Sequence, residues 1–205
     1  MAIHFYALLS RMKYILRWGL MRQSRPENLS EHTAETAVLA HALAVIGNRR
    51  LGRRYDEGQA VLYALYHDCS EIITGDLPTP IKYENDSIRT AYKAVEQKAA
   101  RRLGRLLPPD LREAYQPYLE GPEGELARLV KAADKLSALI KCMEEEAAGN
   151  REFLRAKEAS LASLAALGLP EAEIFLQECL PSYGLSLDEL KEAPPAGEGA
   201  PHSIP

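Results

Sequence analysis

The chain carries histidine and carboxylate side chains whose types and spacing suit metal-assisted hydrolysis. His67 and Asp68 are adjacent, His32 lies 35 residues before His67, and Asp134 lies 66 residues after Asp68. Two imidazoles and two carboxylates, with no cysteine among them, can hold one divalent transition metal and leave positions open for water and substrate. Glu71 follows one helical turn later, close enough to transfer a proton from that water.

Helices must position these side chains, because the apolar spacing is helical almost throughout the chain. The pattern predicts helices at residues 3–16, 30–46, 56–73, 86–106, 108–119, 126–143, 150–167 and 170–180. Ser30 is the expected N-cap of the second helix, and Gly47-Asn48 its expected end. No β-pattern of useful length and no internal repeat is visible. The sequence therefore predicts an all-α single domain at 1–192, followed by a disordered, proline- and glycine-rich tail at 193–205.

The spacing of the candidate ligands leaves two interpretations open. On a regular helix His67 and Asp68 diverge by ~100°, so both reach one metal only through a shared groove. Asp134 adjoins an apolar stripe, where a bare carboxylate is too costly to bury without a partner. One interpretation is a metal site. The other is that His32 and His67 are satisfied core histidines and that Asp134 pairs with a lysine such as Lys131.

The remaining histidines are poorer candidates for a metal site. His41 follows His32 by nine residues, which places it half a turn out of phase on the same helix. His4 lies near the N-terminus and His202 lies in the predicted tail. We therefore expect these three to lie outside the site.

Composition limits the class of protein. The chain has 205 residues, 46% hydrophobic and 26% charged, which suits one soluble globular domain. A net charge of −4 gives no reason to expect a nucleic-acid polymer as partner. Three widely spaced cysteines without a C-x-x-C pair indicate reduced thiols. No apolar run reaches the ~18 residues of a membrane span, so we expect a cytoplasmic protein.

Residues 1–26 carry five basic side chains before the first acidic residue, Glu27. Such a local positive field suits a phosphate ester. The five are Arg11, Lys13, Arg17, Arg22 and Arg25. The alternative is a solvated face of the N-terminal helix, which we favour for most of them.

The order His32, His67-Asp68, Asp134 resembles that of the HD-domain metal-dependent phosphohydrolases. More narrowly, most of residues 5–190 resemble the bacterial 5′-deoxynucleotidases of that superfamily. The shared segments are 10–18, 28–32, 66–83, 131–134, 141–142 and 186–189. The sequence Gly-Asp-Leu-Pro-Thr-Pro at 75–80 is much more specific than the His-Asp pair itself.

The resemblance implies an HD-domain helical bundle with its metal core at about 28–140. It also implies a homodimer that hydrolyses deoxyribonucleoside 5′-monophosphates to deoxynucleosides and phosphate. The implied metal ligands are His32, His67, Asp68 and Asp134. Glu71 would be the general acid or base that orients the attacking water or moves its proton. The alternative for Glu71 is an exposed carboxylate on a helix.

The resemblance further assigns the substrate-binding residues. Arg17 would act on the phosphate, since arginine offers a permanent planar fork matched to phosphate oxygens. Trp18 would lie beside the nucleoside, although a packing role for this single tryptophan stays open. The implied sugar-side wall consists of Asp76, Leu77, Pro78 and Thr79.

Two rival functions remain open at this stage. The first is another HD-type nucleotide enzyme, such as a triphosphatase or a phosphodiesterase, although no Gly-Tyr-Pro follows His67-Asp68. The second is a non-catalytic nucleotide-binding protein, against which Glu71 argues. Two nitrogens and two carboxylates suit cobalt, manganese, iron or zinc, so the sequence does not select the metal.

Overall fold

The computed structural model describes residues 2–82 and 84–192, so the predicted tail at 193–205 lies outside the described residues. The described residues form helices and no strand, as predicted. The α-helices are α1 (Phe5–Leu9), α2 (Leu29–Arg50), α3 (Glu57–Tyr66), α4 (Glu71–Thr74), α5 (Thr79–Lys82), α6 (Asp86–Gly104), α7 (Pro109–Glu120), α8 (Gly124–Ala147), α9 (Leu154–Leu167), α10 (Pro170–Glu178) and α11 (Leu187–Glu192). Segments of 3₁₀-helix occur at Ser10–Tyr14, Arg151–Phe153 and Leu180–Gly184.

The two long helices α2 and α8 form the centre of the bundle. They pack on each other, α3 and α10 pack on α2, and α9 packs on α8. Leu39, Leu43, Leu136 and Leu139 are almost completely buried in the core between them. Full burial of one leucine side chain contributes about 1.5–3 kcal/mol, so this core holds α2 and α8 firmly together. In the described part of the chain, no helix is long and apolar enough to cross a membrane.

The start of α2 differs by two residues from the prediction, which placed the N-cap at Ser30. Asn28 is the N-cap, and its side chain accepts the backbone N–H groups of Ser30 and Glu31 at 3.0 and 3.1 Å. Glu31 in turn accepts the backbone N–H of Asn28 at 3.2 Å, which completes a capping box. This box fixes the first turn of α2, where His32 lies.

The predicted end of α2 at Gly47-Asn48 is wrong, because the helix continues to Arg50. Gly47 lies inside the helix at a close approach, since a Cβ there would lie 2.6 Å from the Tyr55 ring. The side chain of Asn48 binds the backbone N–H and C=O of Tyr55 at 2.7 and 3.0 Å. Both residues therefore serve the packing of the following loop on α2.

The predicted helix at 56–73 is interrupted. Helix α3 ends at Tyr66, residues 67–70 form a turn, and α4 begins at Glu71. At the break, His67 Nδ1 lies 2.6 Å from the Ala64 carbonyl oxygen, one of the carbonyls that a helix end leaves without a backbone partner. His67 and Asp68 therefore project from a turn, which removes the divergence of neighbouring side chains on a regular helix.

The predicted helix at 3–16 is also shorter. It consists of α1 and a 3₁₀ segment that ends at Tyr14, after which Ile15 is extended. The chain must be extended here because Leu16 forms an isolated antiparallel bridge with Asn28, and the Leu29 N–H donates to the Ile15 carbonyl. This pairing closes the loop 15–28, which contains Arg17, against the start of α2.

Candidate active site

Four predicted ligands meet where α2, the 67–70 turn and α8 come together. His32, His67 and Asp68 each offer a ligand atom, and these atoms lie within 4.8 Å of one another. Asp68 Oδ2 is 3.0 Å from His67 Nε2 and 3.6 Å from His32 Nε2. Asp134 Oδ1 is 3.3 Å from His32 Nε2. Ligands at 2.0–2.1 Å from one metal lie about 3–3.4 Å apart, and the three separations above are within or close to that range.

The two histidines present Nε2 atoms that suit a metal. Both Nε2 atoms are buried and make no hydrogen bond within the described residues. His67 Nδ1 lies 2.6 Å from the Ala64 carbonyl. A carbonyl only accepts, so Nδ1 carries a hydrogen, and in the neutral ring the lone pair lies on Nε2. An unpaired buried nitrogen is costly, and a divalent cation would satisfy both.

The charge states of His32, Asp68 and Asp134 favour a cation. At His67, burial acts to lower the pKa, but the charge of Asp68 outweighs it and raises that pKa, so a cation there would compete with a proton. Burial, followed by the charge of Arg17, lowers the pKa of His32 to about 4, so this imidazole is neutral near pH 7. Burial acts to raise the pKa of Asp68, but the neighbouring His67 outweighs it and holds that pKa well below its usual range. The pKa of Asp134 is likewise lowered, because Lys135 and His32 outweigh burial. Neutral imidazole and ionised carboxylate are the forms that bind metals.

Asp134 has a lysine partner, but not the one suggested by the alternative interpretation. Lys135 Nζ lies 3.0 Å from Asp134 Oδ2, while Lys131 is exposed. The other carboxylate oxygen, Oδ1, faces His32. A lysine contact and a metal contact are therefore compatible for this residue.

Glu71 is buried, with 6% of its surface exposed, which contradicts the interpretation of an exposed helix carboxylate. Burial, followed by the charges of Asp68 and Asp76, raises the pKa of Glu71 to about 9. The backbone N–H of Glu71 donates to the Asp68 carbonyl at 3.0 Å, so Glu71 follows directly on the turn that carries His67 and Asp68. A desolvated carboxyl group in this position can exchange a proton with a nearby reacting group.

Arg17 is almost buried and is surrounded by carboxylates. Burial acts to lower its pKa, but the charges of Glu27, Asp134, Asp68 and Asp76 raise it, so the guanidinium stays charged. Its Nη1 donates to Glu27 Oε2 at 3.2 Å. The predicted phosphate-binding residue is therefore held beside the ligand cluster.

Trp18 is held by packing and by a hydrogen bond. Its Nε1 donates to the same Glu27 oxygen at 2.7 Å, and its ring lies 5.2 Å from that of Phe153. Trp18 also has φ of +61°, which is strained for a residue with a Cβ. These contacts support the packing role, while stacking on a nucleoside stays a prediction.

The loop 15–28 is anchored from α8 by Glu145, which is 1% exposed. Its carboxylate accepts the backbone N–H groups of Ser24 and Arg25 at 2.8 and 3.3 Å and the amide of Asn150 at 2.8 Å. Lys141, also buried, donates to it and to the Arg25 carbonyl. Burial acts to raise the pKa of Glu145, but these donors, Lys141 foremost, hold it at about 2.

Glu145→Ala is expected to lower the free energy of unfolding by about 3–5 kcal/mol near pH 7, because it leaves buried Lys141 without its carboxylate. The pKa of Glu145 is lower in the folded protein than its ordinary value of 4.5. The stabilisation is therefore complete above about pH 4.5 and is lost as the pH falls toward 2. Urea unfolding of the wild type and of Glu145→Ala at several pH values measures the difference in their free energies of unfolding.

Glu144→Ala, a change at an exposed neighbour, is the control. A difference that stays constant with pH would contradict the stabilising role of the Glu145 carboxylate.

The segment 75–82 follows α4 and includes α5. Gly75 ends α4 with φ of +72°, a conformation that favours glycine. Burial raises the pKa of Asp76, and the charge of Arg17 acts in the opposite direction. Leu77 and Pro78 are partly buried, and Thr79 is the first residue of α5. The predicted sugar-side wall therefore follows directly on the short helix that begins with Glu71.

Several supporting residues were not predicted from the sequence. Glu27 binds both Arg17 and Trp18, and Ser137 and Glu35 lie behind His32. The available signal was position, because Glu35 follows His32 by one turn and Ser137 follows Asp134 by one turn. His4 and His41 are exposed and outside the cluster, as expected, whereas His202 lies beyond the described residues.

The fold and the site define a class of protein. The structure superposes on an HD-domain phosphohydrolase from Listeria innocua with a TM-score of 0.79, covering 93% of each chain at 24% sequence identity. The fold is therefore that of the HD-domain phosphohydrolases, as the order of the histidines and aspartates predicted.

Sequence comparison narrows the class to a family. The family model described as 5′-deoxynucleotidase YfbR-like matches residues 4–183. The chain is 47% identical over 194 residues to 5′-deoxynucleotidase YfbR of Shigella dysenteriae, covering 94% of this chain and 98% of that protein. The protein of the same name from Escherichia coli (strain ATCC 8739) matches with the same identity and coverage. The chain belongs to the 5′-deoxynucleotidase YfbR-like family.

Proposed function

We propose that this chain is a metal-dependent 5′-deoxynucleotidase, which hydrolyses deoxyribonucleoside 5′-monophosphates to deoxynucleosides and phosphate. The observation that carries the proposal is the pair of buried, unpaired Nε2 atoms of His32 and His67 facing carboxylates. Family membership adds the substrate class, because the relatives at 47% identity are named 5′-deoxynucleotidases.

The residues proposed to hold the metal are His32, His67, Asp68 and Asp134. A divalent cation bound there would supply Lewis acidity toward the phosphate and lower the pKa of a coordinated water. Two nitrogens and two carboxylates fit several first-row metals, among them cobalt, manganese, iron and zinc. The proposal therefore commits to a divalent transition metal and leaves its identity to measurement.

The other site residues bind the phosphate and move a proton. Arg17 keeps its charge among the carboxylates, so its guanidinium would bind phosphate oxygens and orient the ester. Hydrolysis forms a bond from a water oxygen to phosphorus and breaks the bond between phosphorus and O5′, whose electron pair goes to O5′. The attacking water loses a proton and O5′ gains one. Glu71, buried beside Asp68, is the group proposed to move that proton.

Phosphate release from ribo- and deoxyribonucleoside monophosphates, assayed with several divalent metals, tests this function. We expect hydrolysis of the deoxyribonucleotides, dependent on the added metal and abolished by a chelator. Release only from nucleoside triphosphates or cyclic nucleotides would favour another HD-type enzyme. Binding without release under every metal would favour a nucleotide-binding protein.

Asp76 is proposed to select the deoxyribose. Its carboxylate lies on a segment that begins at Gly75 and contains Pro78, which restricts the backbone. A carboxylate there could accept a hydrogen bond from the 3′-hydroxyl and hold C2′ close to the wall. A 2′-hydroxyl would then meet a clash or lack a polar partner. An apolar pocket rejects an added hydroxyl only weakly, so a polar group on a stiff segment is needed.

Asp76→Ala is therefore expected to narrow the difference between hydrolysis of 2′-deoxyadenosine and adenosine 5′-monophosphates without removing the metal. The measurement is the ratio of kcat/KM for the two substrates in each protein. The exposed Asp110→Ala on α7 is the control and should leave the ratio unchanged. An unchanged ratio in Asp76→Ala, or a wild type that prefers ribonucleotides, would exclude this role for Asp76.

A cytoplasmic location and a homodimer are also proposed. Cys69, Cys142 and Cys179 are free thiols, which are usual in proteins of reducing compartments. The homodimer is supported by the resemblance to bacterial 5′-deoxynucleotidases, and analytical ultracentrifugation would measure it.

A further inference from the structure

His32 is held from behind by two polar side chains outside the proposed ligand set. Its Nδ1 lies 2.9 Å from Ser137 Oγ, and the Ser137 hydroxyl donates to Glu35 Oε2 at 2.6 Å. Because the serine hydrogen points at the carboxylate, the serine oxygen is free to accept the hydrogen of His32 Nδ1. The two hydrogen bonds therefore select the tautomer whose Nε2 carries a lone pair.

The same hydrogen bonds connect the two long helices. Glu35 lies one turn after His32 on α2, and Ser137 lies one turn after Asp134 on α8. A rotation or slide between α2 and α8 would change the 3.3 Å separation of His32 Nε2 and Asp134 Oδ1. The hydrogen bond from Ser137 on α8 to Glu35 on α2 opposes such a movement near His32 and Asp134.

Burial makes these hydrogen bonds hard to replace. His32 and Ser137 have no exposed surface, so water is poorly placed to substitute for either partner. The other hydroxyl near His32 Nδ1, that of Thr36, lies farther away at 3.5 Å. Glu35 is only partly buried and lines a polar cavity of about 150 Å³ together with Glu31 and Lys141. The Glu35 carboxylate thus lies beside a space that can hold water, whereas His32 is closed off from solvent.

We propose that Ser137 and Glu35 are positioning residues, which set the tautomer and orientation of His32 and thereby the affinity of the site for its metal. The inference rests on the proposed function, since it concerns a ligand assigned there. Residues that hydrogen-bond to a metal-binding histidine typically change metal affinity by about 10–100-fold when they are replaced.

Titration of the metal-free protein with Mn²⁺ or Co²⁺ alone, in competition with a chromophoric chelator, tests the proposal. Ser137→Ala and Glu35→Ala are each expected to weaken binding by about 10–100-fold. Glu35→Gln keeps an oxygen that accepts the serine hydrogen, so it should restore most of the affinity lost in Glu35→Ala. Ser160→Ala replaces a buried serine on α9 and should leave affinity unchanged.

The outcomes separate this proposal from the function on which it rests. Wild-type affinity in both folded alanine variants would overturn the positioning role and leave the metal site in place. A wild-type protein that binds neither ion would overturn both. If Ser137→Ala fails to fold, Glu35→Ala decides the question. The Glu35 side chain is partly exposed and alanine favours the helix, so we expect this variant to fold.

Discussion

Asp68→Ala is expected to remove bound metal and phosphate release together while leaving the helical fold largely intact. Asp68 Oδ2 lies within 3.6 Å of both His32 Nε2 and His67 Nε2, so its loss removes the anionic oxygen that faces both imidazoles. We expect metal affinity to fall by more than about 100-fold. Replacing a residue that only hydrogen-bonds to a metal ligand already lowers metal affinity by about 10–100-fold. Metal content after dialysis, phosphate release and far-ultraviolet circular dichroism measure the three quantities.

His67→Ala should give the same result, because it removes one of the two nitrogens. His41→Ala is the control, since His41 is exposed and its nearest acidic partner is Glu57 at 3.9 Å. Its metal content and activity should match those of the wild type. Full activity in a metal-free Asp68→Ala protein would exclude the proposed ligand set.

The sequence predicted the helices well where an apolar stripe runs without interruption. The stripe from Leu126 to Met143 lies within α8, and the predicted helices at 86–106 and 150–167 correspond to α6 and α9. Helix ends were less predictable, because they depend on contacts with distant residues. Gly47 was expected to end α2, yet it allows the ring of Tyr55 to pack against a continuing helix.

The His67-Asp68 pair shows that candidate ligands can meet although the predicted element is wrong. Composition at 56–73 favours one helix, whereas the structure interrupts it after Tyr66. The ring faces the ligand cluster through Nε2 and binds the Ala64 carbonyl through Nδ1. Periodicity records which residues are apolar and carries no information about such a side-chain contact.

The supporting shell was beyond prediction because its contacts join distant segments. Ser137 and Glu35 are 102 residues apart, and Glu145 reaches Ser24 across 121 residues. Glutamates and serines are common on solvated helix faces, so neither type signals burial. Only the packing of α2 on α8 turns Ser137 and Glu35 toward His32.

The structure changes the interpretation of Glu71 more than that of the other site residues. From the sequence it was a carboxylate one turn after a candidate ligand, and an exposed position was an open alternative. The structure buries it, and burial, followed by the charges of Asp68 and Asp76, favours its protonated form. The charges of Lys82 and Arg17 act in the opposite direction. Such opposed influences suit a group that takes and releases a proton during one reaction.

Glu71→Gln is expected to lower kcat by about 10²–10⁴-fold, because glutamine keeps the size of the side chain but cannot exchange the proton. Metal content and substrate binding should be preserved, since Glu71 is not among the proposed ligands. Steady-state kinetics at saturating metal, with metal analysis of the same samples, separates the two effects. Glu120→Gln, an exposed change on α7, is the control for the substitution itself. A variant that loses its metal would make Glu71 a ligand, whereas unchanged kcat would leave proton transfer to another group in the site.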